Sequence, residues 1–92
     1  MEINGSTLLK KTDGLIEANL GESLALMSIE NGKYFGMNQV AKHIWKEINE
    51  EITFDELILR LTDLFEVDAE TCEKNCREFL MKLFSKNMVT FQ

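Results

Sequence analysis

Asn31-Gly32-Lys33-Tyr34-Phe35-Gly36-Met37-Asn38-Gln39-Val40-Ala41-Lys42-His43-Ile44-Trp45 is the stretch on which the fold turns. Asn-Gly is the pair that best tolerates the two positive φ angles of a type I′ hairpin loop, so it predicts a tight two-residue turn. Lys33 to Met37 then reads as a strand. Asn38 is placed to cap a helix over 38–49, whose buried stripe is Val40, Ala41, Ile44, Trp45 and Ile48. Lys42, His43, Lys46 and Glu47 fall on its outer side. The join sets a strand edge directly beside a helix.

Upstream, Leu15 to Leu20 and Leu24 to Glu30 form two more strands about a Gly21-Glu22 turn. A two-residue Asn31-Gly32 loop sets Ile29 opposite Tyr34, Ser28 opposite Phe35, Met27 opposite Gly36 and Leu26 opposite Met37. Side chains alternate between faces. One face therefore carries Leu24, Leu26, Ser28, Phe35 and Met37, and is assigned to the core. The other carries Ala25, Met27, Ile29, Tyr34 and Gly36. It is less polar than a solvated sheet face should be, which asks for cover by the N-terminal arm or by a partner.

Downstream, Thr53-Phe54-Asp55-Glu56 is a capping box, with Ile52 and Leu57 at the staple positions. Leu57, Ile58, Leu61, Leu64 and Phe65 recur behind it at helical spacing. Asp68 caps a third helix over 69–86, with core positions Cys72, Cys76, Phe79, Leu80 and Leu83. A second stripe, Arg77, Leu80, Met81, Phe84 and Met88, lines up along a neighbouring face. That is more apolar surface than one contact needs. It fits burial against the tail Val89-Thr90-Phe91 or the β-ribbon, or a further partner.

The expected fold is α+β and winged helix-turn-helix-like: an N-terminal three-stranded antiparallel sheet followed by three helices. One domain spans 14–92, preceded by an arm over 1–13 in which Ile3, Leu8 and Leu9 tuck against the body.

With 92 residues the chain fits one domain with a modest core. Sixteen acidic against ten basic residues give a formal charge of −6, which disfavours nucleic acid, whose binding rests on Lys and Arg neutralising phosphates. A winged-helix DNA-binding regulator is the alternative reading. Against it, Lys74, Arg77, Lys82 and Lys86 are interleaved with Glu70, Glu73 and Glu78 on the third helix and do not share a face. No apolar run is long enough for a membrane span, and no signal peptide is visible. A cytoplasmic location is expected, with Cys72 and Cys76 as free thiols.

Catalysis finds little support. Cys72 and Cys76 sit one helical turn apart, but the single histidine, His43, lies on another helix. A structural zinc site wants four ligands, and a nucleophile wants a base beside it. No Gly-rich phosphate loop is present. No catalytic residue, metal or cofactor is expected.

Taken in order, Gly32-Lys33-Tyr34-Phe35-Gly36-Met37-Asn38-Gln39-Val40-Ala41 with Ile44-Trp45 resembles the PqqD-like family, the precursor-peptide recognition elements of ribosomally made, modified peptides. Thr53-Phe54-Asp55-Glu56-Leu57 with Leu61, Phe65-Glu66-Val67-Asp68, and Phe79-Leu80 with Leu83 continue the likeness over about residues 14–91. One departure is Asn87-Met88-Val89, where the family usually has Gly-Leu and an aliphatic residue.

The resemblance implies a non-catalytic adaptor that takes a precursor's leader peptide as an added strand beside the third strand, against the third helix. Strand addition draws affinity from main-chain bonds and selectivity from side-chain pockets. Lys33, Tyr34, Phe35 and Gly36 would lie along the peptide, with Arg77, Leu80, Met81 and Phe84 as the facing wall. Met27, Ile29 and Met37 complete the candidate set. The implied partners are the precursor peptide and a separate modifying enzyme, such as a leader peptidase of a lasso-peptide pathway or a radical SAM protein. Neither nucleic acid nor membrane is among them.

Overall fold

The structure, a computed structural model, describes residues 3–48 and 50–92. The first two residues of the expected arm and position 49, the expected end of the first helix, lie outside the described residues. The elements in order are β1 (Leu8–Lys11), β2 (Leu15–Leu20), β3 (Ser23–Ser28), β4 (Tyr34–Met37), α1 (Gln39–Glu47), β5 (Ile52–Thr53), α2 (Phe54–Leu64), α3 (Ala69–Ser85) and β6 (Val89–Phe91). The strands form two antiparallel three-stranded sheets, β2-β3-β4 and β5-β1-β6.

The first sheet and the three helices realise the expected α+β class. The second sheet was not foreseen. Residues 8–11, read from the sequence as part of a weakly patterned arm, form its middle strand, with Leu9 paired to Ile52 on one side and Phe91 on the other. Leu9 has no exposed surface. The pairing joins residues far apart in sequence, so no local periodicity announces it.

The β3–β4 hairpin differs from expectation by two residues. The pairs are Leu24–Met37, Ala25–Gly36, Leu26–Phe35 and Met27–Tyr34, and the loop is four residues, 29–32. Gly32 takes φ +71°, but Asn31 does not enter the left-handed region, as a type I′ turn would require. Instead the Asn31 side chain accepts a hydrogen bond from the Lys33 N–H at 3.0 Å, and the Gly32 N–H donates to the Ser28 carbonyl at 2.9 Å. A slip of two leaves every side chain on its face. Leu24, Leu26, Ser28 and Met37 are therefore buried as expected, with Phe35 packed against the core.

The helix starts follow the capping chemistry. Asn38 accepts from the Ala41 N–H, Thr53 from the Glu56 N–H, and Asp68 from the N–H groups of Glu70 and Thr71. At the end of α3, Asn87 adopts φ +59°. Met88 N–H then reaches the Leu83 carbonyl and Asn87 N–H the Phe84 carbonyl, a Schellman closure that Asn completes in place of Gly.

The core joins Leu9, Leu26, Trp45, Ile48, Phe54, Leu57, Leu80, Leu83 and Met88 in one cluster. Two α1 positions depart from the expected stripe. Val40 is exposed, whereas Lys42 is 9% exposed. Its Nζ donates to Asn19 Oδ1 at 2.6 Å and to the Gly21 carbonyl at 2.8 Å, tying the β2–β3 turn to α1. The long aliphatic stem lets Lys cross apolar surface to reach those acceptors.

Candidate functional site: a free strand edge beside a helix

β4 is a border strand, hydrogen-bonded to β3 and, among the described residues, to no other strand. Ser28 N–H donates to the Lys33 carbonyl at 2.8 Å, which makes Ser28–Lys33 a hydrogen-bonded pair. Such pairs alternate along an antiparallel ladder. Leu26–Phe35 and Leu24–Met37 therefore carry the next bonds. The N–H and C=O of Tyr34 and Gly36 face the other way, and meet no main-chain partner among the described residues.

That edge runs beside α3. Phe35, Gly36, Asn38 and Ala41 line one side of a groove of about 240 Å³, and Asn75, Glu78, Phe79 and Lys82 line the other. The α3 residues follow i, i+3, i+4 and i+7, one stripe of a helix. Its apolar floor is the Phe35–Phe79 pair, edge to face with centroids 6.0 Å apart. Glu78 and Lys82 give the same wall one charge of each sign.

At Asn75 the groove meets a second cavity, about 230 Å³, lined by Val40, Ile44, Leu61, Phe65, Val67, Cys72 and Cys76. This one is apolar, and Phe65 is held at its rim edge to face with His43, centroids 5.3 Å apart. Burial, with Cys72 next to it, pushes the Cys76 thiol up to about 12. Cys76 therefore stays a neutral thiol, suited to lining a pocket and unsuited to attack. No cluster of three or more His, Cys, Asp or Glu side chains positioned for a metal ion occurs among the described residues.

The residues singled out from sequence divide between several places. Phe35 and Gly36 lie on the groove. Met27 and Tyr34 are exposed on the outer face of the β2-β3-β4 sheet, Tyr34 at 70%, and Ile29 is exposed in the hairpin loop. Lys33 follows the hairpin loop opposite Ser28, and Met37 is buried in the core. The α3 stripe does not face β4. Leu80 is fully buried. Arg77 Nη1 donates to the Ile3 carbonyl at 2.8 Å, and its guanidinium lies 4.9 Å from the Phe54 ring centroid. Phe84 stacks on Phe91 with centroids 4.7 Å apart. Met81 is on the same side and partly exposed.

At 3.6 residues per turn, the 77-80-81-84 stripe and the 75-78-79-82 stripe occupy opposite sides of the helix. The excess apolar face of α3 is covered by the chain's own ends. Asn75, Glu78 and Lys82 were missed because they are polar. Their spacing around Phe79 was the available signal.

The model of coenzyme PQQ synthesis protein D (PqqD) matches residues 23–89, and the chain belongs to that family. Among solved structures it is similar to TbiB1 in complex with the TbiA(beta) leader peptide, at 28% identity and a TM-score of 0.78, over 87% of this chain and 93% of that one. No curated protein matches the chain.

Proposed function

We propose that this chain is a non-catalytic adaptor that holds the leader segment of a ribosomally made precursor peptide and presents it to a separate modifying enzyme. The observation that carries the reading is the outward main-chain set of Tyr34 and Gly36 beside the α3 wall. A peptide laid antiparallel along β4 gains hydrogen bonds at both residues whatever its side chains. Specificity then comes from what rests on Phe35 and Phe79 and reaches past Asn75 into the apolar cavity, with Glu78 and Lys82 sorting charge. Family membership and the similarity to TbiB1, itself in complex with a leader peptide, support the same reading.

The peptide-contacting set proposed is therefore Tyr34, Phe35, Gly36, Asn75, Glu78, Phe79 and Lys82. A leader peptidase of a lasso-peptide pathway, or a radical SAM enzyme, is the proposed recipient, acting in the cytoplasm. No helix of the described residues is long and apolar enough to cross a membrane.

The test is titration with the synthetic leader segment of a candidate precursor peptide, followed by amide exchange. Tyr34 and Gly36 should gain protection on binding while Leu9 stays as it was. Protection elsewhere with none at these two amides would move the site. Precursor incubated with this protein alone should keep its mass; a changed mass would make the chain an enzyme.

A further inference from the structure

The β2-β3-β4 sheet has a second border. β2 pairs with β3 and, among the described residues, with no other strand. The Gly21-Glu22 turn makes Leu20–Ser23 the closing pair, and at the far end Ile29 N–H donates to the Gly14 carbonyl at 3.2 Å. Alternation then spends the main-chain groups of Ile16, Ala18 and Leu20 on β3, and leaves those of Leu15, Glu17 and Asn19 facing outward. Natural borders are usually guarded by Pro, bulges, Lys or short length. β2 has six residues in unbroken register, and Glu17 is its sole charge. On the outer face, Ile16 is 46% and Leu20 64% exposed. β2 lies outside the 23–89 segment that the family model matches.

We infer that β2 is a self-pairing edge: two copies of this chain join antiparallel through it, about a two-fold axis at Ala18, into one six-stranded sheet. The occupant follows from the register. A two-fold axis normal to the sheet keeps outer faces together, so facing residues must both be odd or both be even in number. Two registers overlap the strands best and bring outward main-chain groups together. Centring on Glu17 sets two carboxylates directly opposite, which is unfavourable. Centring on Ala18 sets Ile16 opposite Leu20 of the second copy, and Glu17 opposite its Asn19. The Glu17–Asn19 pairs exchange main-chain hydrogen bonds on both sides of the axis. The exposed Ile16 and Leu20 are covered by each other, and the apolar outer face continues across the junction.

A contact of one strand per copy is small, so the dimer is weak and concentration-dependent. Each copy carries −6, so added salt strengthens it by screening. Both β4 edges stay free at the far ends of the joined sheet. The proposal therefore stands or falls apart from the peptide-binding reading.

Sedimentation equilibrium of the full chain, from micromolar to millimolar concentration at low and moderate salt, tests it. The mean mass should climb from 10.6 kDa toward twice that, further at the higher salt. Ile16→Lys and Leu20→Glu should each weaken association about tenfold, because each change occurs twice in the dimer. The double variant leaves net charge unaltered and should restore association through crossed Lys–Glu pairs, now weakened by salt. Both positions are exposed, and unchanged circular dichroism should accompany all three variants. A wild-type chain monomeric throughout overturns the proposal. So does a dimer indifferent to both single changes, and a double variant no better than the singles overturns the register.

Discussion

In the β5-β1-β6 sheet, the middle strand comes from near the N-terminus and its neighbours from the middle and the end of the chain. In the β2-β3-β4 sheet, three consecutive strands follow one another through short turns. The β5-β1-β6 sheet holds distant segments together: Leu9 is wholly buried, Leu8 N–H donates to the Gln92 carbonyl, and Gln92 N–H donates back to the Leu8 carbonyl. The β2-β3-β4 sheet leaves its outer face and both borders uncovered by other strands. Long-range pairing secures the ends of this chain, and local pairing exposes main-chain groups a visitor can use.

The largest effect expected from breaking this contrast is on the β5-β1-β6 sheet. Leu9→Ala should cost about 2–5 kcal/mol of unfolding free energy by urea titration, the range for emptying a fully buried leucine site. At temperatures where the variant stays folded, its leader affinity should match wild type. A loss under 1 kcal/mol would mean that β1 is dispensable.

Phe84→Ala comes next. Loss of the stack on Phe91 and of partly buried area should cost about 2 kcal/mol of stability. Leader affinity by calorimetry should not move, because Phe84 faces away from the groove. A variant of normal stability and reduced affinity would return this side of α3 to the site.

On the open sheet the balance reverses. Gly36→Pro removes an N–H that faces outward, so no ladder bond to β3 is lost, and a Cβ at Gly36 meets no atom within 4 Å. Leader affinity should fall at least tenfold, about 1.4 kcal/mol, with a much smaller change in urea midpoint. Unchanged affinity would rule out β4 as the peptide's track.

The smallest effect is on α3's own cap. Hydrogen bonds from the Thr71 side chain and then its main-chain N–H, aided by the Glu70 N–H, hold the Asp68 carboxyl below the usual carboxylate range. A pKa depressed by folding gives stability that is present in full above the unfolded value and lost as pH falls through the folded one. Asp68→Asn keeps the acceptor and loses the titration. Its urea midpoint should therefore decline less on the acid side than wild type. Parallel acid limbs would mean that Asp68 is not linked to folding.

Sequence reasoning succeeded where structure is local. Asn38, Thr53 and Asp68 announced three helix starts, because a capping side chain bonds N–H groups two or three residues away. The β-ribbon's core face was legible from alternation alone, even though the hairpin loop was read two residues too short. Leu8-Leu9-Lys10-Lys11 was not legible, since its partners at 52–53 and 89–91 leave no mark on its own pattern. The α3 wall failed for a related reason. Of the groove stripe only Phe79 was read, as a core position; the stripe expected to face β4 instead meets Phe91 and Ile3, and which side of α3 meets which depends on how the whole chain packs. Lys42 misled through its charge, whose acceptors at Asn19 and Gly21 lie in another element.

That ammonium also settles who bears the cost of ordering in any encounter. By fastening the β2–β3 turn to α1, it fixes the ribbon against the helix that begins directly after Asn38, the residue that follows β4. The strand border and the Asn38–Ala41 side of the groove therefore move as one piece. That side of the groove is ordered before anything docks on it, so its own share of the entropy lost on docking is small.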